Sequence, residues 1–264
     1  MVFLFSVALA SCSVKEDRGD CPAYVTVNVD RFINRDLPNG TVVFDDPLAH
    51  HSEEINFYPY SGIGYEWPVD RHLARVTVLS GYDREKIGES EVRVPYGQMA
   101  GMVWAYTETF SAESDLYVVD AWPHKQYCLV RFMFDNGYKA PEPYPWRFRI
   151  KAECNGFDLY TLEPLVGEYC CTVWPNAQGQ FSCIIPRQLG NNLIMEIFVP
   201  NEDSETEGRV EYVIDLGKRF ENLGYDWSVP DLGDVSLKVG FASGGVDVSV
   251  DGWINDNTYQ GKVI

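Results

Sequence analysis

The sequence predicts an all-β protein, two tandem β-sandwich domains behind a short apolar leader and a polar tether. Three observations carry this. Short runs rich in Val, Tyr, Phe and Thr recur along the chain with turn residues between nearly all of them, and helical periodicity is largely absent. Near the C-terminus, Val235, Leu237, Val239 and Phe241 alternate with Ser236, Lys238 and Gly240, the period of a half-buried strand. The roughly 240 residues behind the leader exceed one small sandwich and suit two domains of about 100 to 130 residues, each able to bury a core.

In chain order, residues 1–11 come first. Val2 to Ala10 is apolar and far too short to span a bilayer as a helix, so it is expected to be an export signal. It ends in Leu9-Ala10-Ser11-Cys12, which resembles the lipobox of bacterial lipoproteins: a branched apolar residue, two small residues, then the cysteine that receives lipid. No Lys or Arg precedes the apolar run, a departure from the usual basic start. Each buried acyl methylene contributes about 0.8 kcal/mol, so two or three chains on Cys12 would hold the protein where one would not. Residues 12–22 then read as the lipidated cysteine and a solvated tether, dense in charge and without apolar periodicity. Within it, Lys15-Glu16-Asp17 resembles the signal, a Lys and two acidic residues, that sends lipoproteins of the Bacteroidetes group to the outer face of the outer membrane.

The first domain is expected over 23–123, with strands at 23–30, 73–79, 90–94, 101–107 and 115–120. The boundary falls at Ala121-Trp122-Pro123-His124-Lys125, where a proline separates two β runs. The second domain, 124–264, is expected to carry strands at 127–134, 146–152, 192–199 and 209–215, a short helix around 217–223, and a hairpin over 235–251 that turns at Ala242-Ser243-Gly244-Gly245.

Composition excludes several function classes. A formal net charge of −18 would repel a phosphate backbone, so nucleic acid is not expected as a partner. No second apolar stretch reaches membrane-spanning length, which leaves lipid as the expected anchor. The seven cysteines leave six beyond Cys12: Cys21, Cys128, Cys154, Cys170, Cys171 and Cys183. In an oxidising exported setting these are candidates for disulfides, and six thiols allow 15 full pairings that sequence does not separate. The adjacent Cys170 and Cys171 are expected to bond to different partners, or to stay reduced, rather than to join each other. A metal site is not expected, because no Cys-x-x-Cys pair and no histidine at ligand spacing is present.

The search for catalytic motifs finds none. Gly-x-Ser-x-Gly, His-Glu-x-x-His and the P-loop are absent, and Gly62-Ile63-Gly64 lacks the third glycine and the following helix of a dinucleotide fingerprint. The four histidines, His50, His51, His72 and His124, would need an invented triad, and His50-His51 reads as a solvated loop pair. The carboxylate pairs Asp45-Asp46 and Glu53-Glu54 are what so acidic a chain contains by chance. Asp247-Val-Ser249-Val-Asp251-Gly252 imitates half a calcium loop, but Thr258 stands where the bidentate Glu belongs and strand alternation explains the spacing. No enzyme and no cofactor are expected. The segment from Phe57 to Trp67 gathers Tyr58, Tyr60, Tyr65 and Trp67 in a Pro/Gly-rich loop. Such rings either stack on a sugar or a partner protein, or cover one end of the first sandwich with their polar tips wet; the second role is the expected one.

Three pieces together resemble the fimbrial anchor lipoproteins of Bacteroidales, the family that holds the major and minor fimbriae of oral species. Cys12 is followed by Glu16-Asp17-Arg18-Gly19-Asp20-Cys21-Pro22, like the family's Glu-Asp-x-x-Asp-Cys-Pro element. Val25 to Asp30 resembles the strand that follows. Ile214-Asp215-Leu216-Gly217, Gly224-Tyr225-Asp226-Trp227 and Val250-Asp251-Gly252-Trp253 resemble the closing block. The resemblance covers both ends well and the middle weakly. It implies transthyretin-like sandwiches, no catalysis, lipid attachment at the outer membrane, and fimbrial subunits as partners that join by strand exchange. The polar tail after Trp253 is either a free end or a weak donor strand. Arg31 and Arg35 are potential cleavage sites for an Arg-specific protease, though ordinary surface arginines are the expected reading. The rival function is a surface glycan-binding lipoprotein that uses the aromatics of 57–67.

Overall fold

The computed structural model describes residues 21–82, 87–134, 145–176, 178–242 and 245–254. They form β-sheets with two short helices. The first part of the chain runs β1 (Ala23–Asn28), α1 (Asp30–Ile33), β2 (Asn39–Asp45), β3 (His50–Asn56), a 3-10 turn (Tyr58–Tyr60), β4 (Tyr65–Val69), β5 (Leu73–Ser80), β6 (Glu91–Arg93), β7 (Trp104–Ser111), β8 (Leu116–Asp120) and β9 (His124–Lys125). A sheet of order β4-β1-β8 faces one of order β3-β2-β5-β7-β9. Between them lies a core that includes Val25, Val27, Phe44, Val76, Val78, Phe110 and Val119.

The second part runs β10 (Tyr127–Phe134), β11 (Arg147–Asp158), β12 (Pro164–Val173), β13 (Gln180–Pro186), β14 (Ile194–Asn201), β15 (Ser204–Asp215), α2 (Leu216–Asn222), β16 (Asp234–Ala242) and β17 (Gly245–Ile254). Its sheets have the orders β13-β10-β16-β17 and β12-β11-β14-β15. Phe132, Phe148, Ile150, Phe181, Ile197 and Leu237 fill the space between, with Phe148 and Phe181 stacked at 4.2 Å. With β6, β9 and β17 set aside, the second sandwich repeats the strand order of the first: β10, β11, β12, β13, β14, β15 and β16 stand where β1, β2, β3, β4, β5, β7 and β8 do. In each, the first strand pairs parallel with a late one, β1 with β8 and β10 with β16. Parallel neighbours need a long crossover, supplied here by the strands of the facing sheet rather than by a helix.

The alternation that predicts β16 is observed: Val235, Leu237 and Val239 are buried, and β16 pairs with β17 from Asp234↔Ile254 to Ala242↔Gly245. The expected helix forms one residue earlier than predicted. Asp215 caps it by accepting from the Lys218 amide at 2.9 Å, and Phe220 buries its inner face.

Other expectations need correction. Strands at 39–45, 50–56, 65–69, 164–173 and 180–186 escape the sequence reading, and the run predicted at 101–107 sits at 104–111. β2 is buried continuously from Thr41 to Phe44, so it lacks alternation. The reason is that its sheet is covered on both faces: the core lies on one, and on the other Thr77 Oγ1 of β5 donates to the Leu159 carbonyl at 2.9 Å while Arg75 lies over the Tyr160 ring.

The two sandwiches are joined by more than the chain near Pro123. β6, which lies between β5 and β7 in sequence, pairs antiparallel with β11 of the second sandwich. Gly156 on β11 permits this, since a Cβ there would fall 1.9 Å from the Val92 carbonyl oxygen. Val92, Val103, Ala105, Leu79, Phe157 and Leu159 bury one another at the junction. β9, at the start of the segment expected to open the second domain, pairs with β7 of the first sandwich.

Candidate functional site

Cys12 and Lys15-Glu16-Asp17 lie outside the described residues, as does Thr258. The description begins at Cys21, whose side chain is exposed and whose peptide enters β1 directly. Arg71 holds that entry. Its Nε donates to the Cys21 carbonyl at 2.8 Å and its Nη1 to the Glu113 carbonyl at 3.0 Å, and it forms an ion pair with Asp115. A pull on the residues before Cys21 is therefore transmitted to β1, in the middle of a sheet, and to the turn ahead of β8. The sequence offers no local sign of Arg71, because its partners are backbone carbonyls 42 and 50 positions away.

The aromatic segment does not form an exposed platform. Tyr65 and Trp67 lie on β4 rather than in a loop. Tyr65 is only 5% exposed, and its hydroxyl donates to Glu53 Oε2 of β3 at 2.5 Å. Burial, then the hydrogen bond to the Glu53 carboxylate, push the Tyr65 pKa well above the usual phenol value. Trp67 stacks flat on His51, ring centroids 3.4 Å apart, so His51 is a strand residue and not part of a solvated loop pair. Tyr60 meets Tyr65 edge-on at 5.1 Å. Tyr58 alone of the four candidate rings is exposed, at 59%. These rings close the β3/β4 side of the first sandwich, where two edge strands of facing sheets meet. Gly64, at φ +79°, lets the chain turn into β4 over Thr26.

The paired carboxylates are likewise structural. Glu53 and Glu54 are neighbours on β3 and so point to opposite faces. Asp46 accepts from the amides of Leu48, Ala49 and Asp70, and Asp45 meets His50 and Arg75. Arg31 and Arg35 lie over the rings of Trp122 and Trp104, at 3.6 and 4.4 Å.

Among the described residues, no two of the six candidate cysteines stand at S–S bonding length. Cys128, Cys154, Cys170, Cys171 and Cys183 are buried. Cys128 packs near Tyr225 and Asp234, and burial pushes its pKa up to about 12. Cys154 lies where Gln188 bonds both its amide and its carbonyl, at 2.9 Å each. Cys170 and Cys171 face opposite sides of β12, the former toward Tyr96 and the latter into the core. Cys171 Sγ lies 2.7 Å from Cys183 Sγ. Among the described residues no group of three or more His, Cys, Asp or Glu could hold a metal ion, and no helix is long and apolar enough to cross a membrane.

One open groove of about 880 Å³ lies over the outer face of the β12-β11-β14-β15 sheet, lined in part by Tyr96, Lys151, Glu153, Glu168, Asn192 and Lys218. Lys151 is already engaged, donating to Glu196 at 2.5 Å, while Arg149 donates to the same carboxylate at 2.8 Å. The groove thus presents mixed charge with no nucleophile set against a base. At the rim of this sheet β15 is a long edge strand with Val210, Tyr212 and Val213 exposed. An edge of this kind offers unpaired backbone groups to another strand.

The residue that organises the junction was invisible in the sequence. Arg187 is buried, and Nη1 donates to the carbonyls of Trp227 at 2.5 Å and Val229 at 2.7 Å. Its Nη2 donates to those of Lys125 at 3.0 Å and Pro230 at 2.7 Å, and its Nε to Gln126 Oε1 at 2.9 Å. One guanidinium thereby ties the segment between the sandwiches to the loop ahead of β16. Desolvation lowers its pKa from the ordinary arginine value.

The fold defines a class: all-β proteins made of two sandwiches with the same strand order. No family model and no curated protein matched the sequence. Solved structures do match the fold. The fimbrial anchor protein Mfa2 of Porphyromonas gingivalis is similar with a TM-score of 0.57 at 13% identity, over 88% of this chain and 98% of that one. A candidate polysaccharide-binding protein of Bacteroides thetaiotaomicron has a TM-score of 0.58 at 10% identity, over 88% and 96%. A candidate adhesin of Bacteroides ovatus also has a TM-score of 0.58 at 10% identity, over 90% and 96%.

Proposed function

We propose that this chain is a non-enzymatic structural subunit of a surface fibre, held at the outer membrane by lipid on Cys12 and joined to fimbrial subunits by strand exchange. The observation that carries the reading is its two-sandwich fold, shared over nearly the whole length of a fimbrial anchor protein. The sequence before Cys21 supports the tether, since Leu9-Ala10-Ser11-Cys12 and Lys15-Glu16-Asp17 stand where a lipid and a surface signal are needed. Arg71 supports load-bearing at the point where that tether enters the first sandwich. We read the two sandwiches as the domains expected at 23–123 and 124–264, although β9 (His124–Lys125) pairs in the first, with β6 as a strap from the first to the second. β15 supports the joining step, because an exposed edge strand gains backbone hydrogen bonds from an added strand. The test is deletion of the gene followed by electron microscopy of cells and of the medium. Fibres shed into the medium are expected; fibres that stay attached at normal length would refute the proposal.

A glycan-binding role through the aromatic segment has less support, because Tyr60, Tyr65 and Trp67 are engaged with one another and with His51 and Glu53.

A further inference from the structure

We propose that Cys171 and Cys183 form a disulfide that staples the two sheets of the second sandwich along the side where β12 meets β13. The pairing is read from geometry; its formation in the cell rests on the export proposed above.

The two residues sit on edge strands of facing sheets, β12 at the end of β12-β11-β14-β15 and β13 at the end of β13-β10-β16-β17. Both side chains point into the core, at 1% and 0% exposure. Their sulfurs are 2.7 Å apart. Non-bonded carbon atoms, which are smaller than sulfur, already pack at about 3.5–4.0 Å, so this is closer than two thiols rest side by side. Tyr169, also on β12, donates its hydroxyl to the Ile184 carbonyl at 2.6 Å and fixes β12 against β13.

The other thiols do not compete. Cys170 faces away from Cys171 across β12, Cys154 lies outside the core that holds Cys171 and Cys183, and Cys21 is exposed ahead of β1. Cys128 is the nearest rival. Register places it opposite Ile185 and places Cys183 opposite Val130, so Cys128 and Cys183 are diagonal neighbours on one sheet. Such diagonals are about 7–8 Å apart at Cα, beyond the reach of a disulfide without backbone movement.

The staple has a counterpart in the first sandwich. There the equivalent side, between β3 and β4, is closed by the His51–Trp67 stack and the Tyr65–Glu53 hydrogen bond. Each sandwich is thus fastened on the same side, by aromatic contact in one and by sulfur in the other. In the second sandwich this leaves β15 and β17, on the opposite side, as the edges able to part.

The chemistry is thiol–disulfide exchange with a disulfide donor, either an envelope oxidoreductase or oxidised glutathione. One cysteine thiolate attacks a donor sulfur, the donor S–S bond breaks, and one donor thiolate leaves. The other cysteine then attacks the mixed disulfide, the Sγ–Sγ bond forms, and the second donor thiolate leaves. The cysteines lose two electrons and two protons, and the donor is recovered as thiols. Both sulfurs are buried in the native state, so the exchange occurs while β12 and β13 are still docking.

The test refolds the full chain from urea in a glutathione redox buffer, blocks remaining thiols with iodoacetamide, and maps chymotryptic peptides by mass spectrometry. Cleavage after Phe181 separates the two cysteines, so a disulfide shows as a linked pair of peptides that reductant splits. The linked pair is expected as the main species. It should persist in Cys170→Ser, which assigns the bond to Cys171, and vanish in Cys171→Ala. Alkylation of both Cys171 and Cys183 after oxidative refolding, or a bond from Cys183 to Cys128, overturns the proposal. A second arm maps the chain from cells with thiols blocked at lysis. The linked pair there supports both the staple and export; reduced thiols there, beside the pair after refolding, leave the pairing standing and overturn export.

Discussion

Replacing Arg187 by Met keeps the length and apolar stem of the side chain and removes its donors. The carbonyls of Lys125, Trp227, Val229 and Pro230 and the Gln126 side-chain oxygen then lose a charged partner together. Each buried acceptor left without a partner costs about 1–3 kcal/mol, and these share one donor and do not add. Water reaching the outer carbonyls recovers part of the loss, so the net cost is expected at about 3–5 kcal/mol, in the range for breaking a buried charged network. With a urea slope of ~3 kcal/mol per molar, the unfolding midpoint falls by about 1–1.7 M. Arg187→Lys should recover little, since an ammonium cannot reach carbonyls on both the linker and the 227–230 loop. The assay is urea unfolding followed by circular dichroism, with hydrogen exchange over 124–126 and 227–230. A loss below about 1 kcal/mol for the Met variant would show that the carbonyls are solvated and that Arg187 is not the clamp described.

Gly156→Ala places a Cβ against the Val92 carbonyl and should part β6 from β11 at a cost of about 1–3 kcal/mol. Faster exchange of the Val94 amide, which donates to the Asn155 carbonyl, is the readout; unchanged protection would contradict the strap. Glu196 is shifted below the usual carboxylate range: burial opposes the shift, but hydrogen bonds from Lys151 and Arg149 outweigh it. A depressed folded pKa gives stability that is complete above the unfolded value of about 4.3 and is lost as pH falls through the folded value. Glu196→Gln should therefore be less stable than wild type at pH 7, with the gap closing as pH drops below about 4; a constant gap would show that the pair does not titrate as described. Trp67→Ala should destabilise the first sandwich by about 1–3 kcal/mol while leaving retention on glycan columns unchanged, and selective loss of retention in a folded variant would favour the glycan role.

The parts of the fold legible in the sequence are those where one face is buried and the other wet. Val235, Leu237 and Val239 alternate with polar residues for that reason, as do Ala23, Val25 and Val27 on β1. β2 was not legible because contact between the sandwiches covers its sheet on both faces, and β3 because His50, Ser52, Glu53 and Glu54 make a polar edge strand with little apolar content. The run at 90–94 was legible as a strand, but its partner was not: nothing local says that Val92 pairs with Phe157 across the junction. The aromatic segment shows the same limit. Its Pro and Gly residues suggest a loop, whereas Tyr65 and Trp67 extend along β4 because β1 and the facing rings give them a core to cover. Arg71 and Arg187 act on backbone carbonyls distant in sequence, and such partners leave no motif.

The most direct measurement of the central claim is fractionation of cells that carry Cys12→Ala in place of the natural gene. The account predicts a folded chain with both sandwiches intact, recovered from the medium together with detached fibres rather than from the outer membrane. A Cys12→Ala chain that remains in the outer-membrane fraction, with fibres still attached, would contradict it.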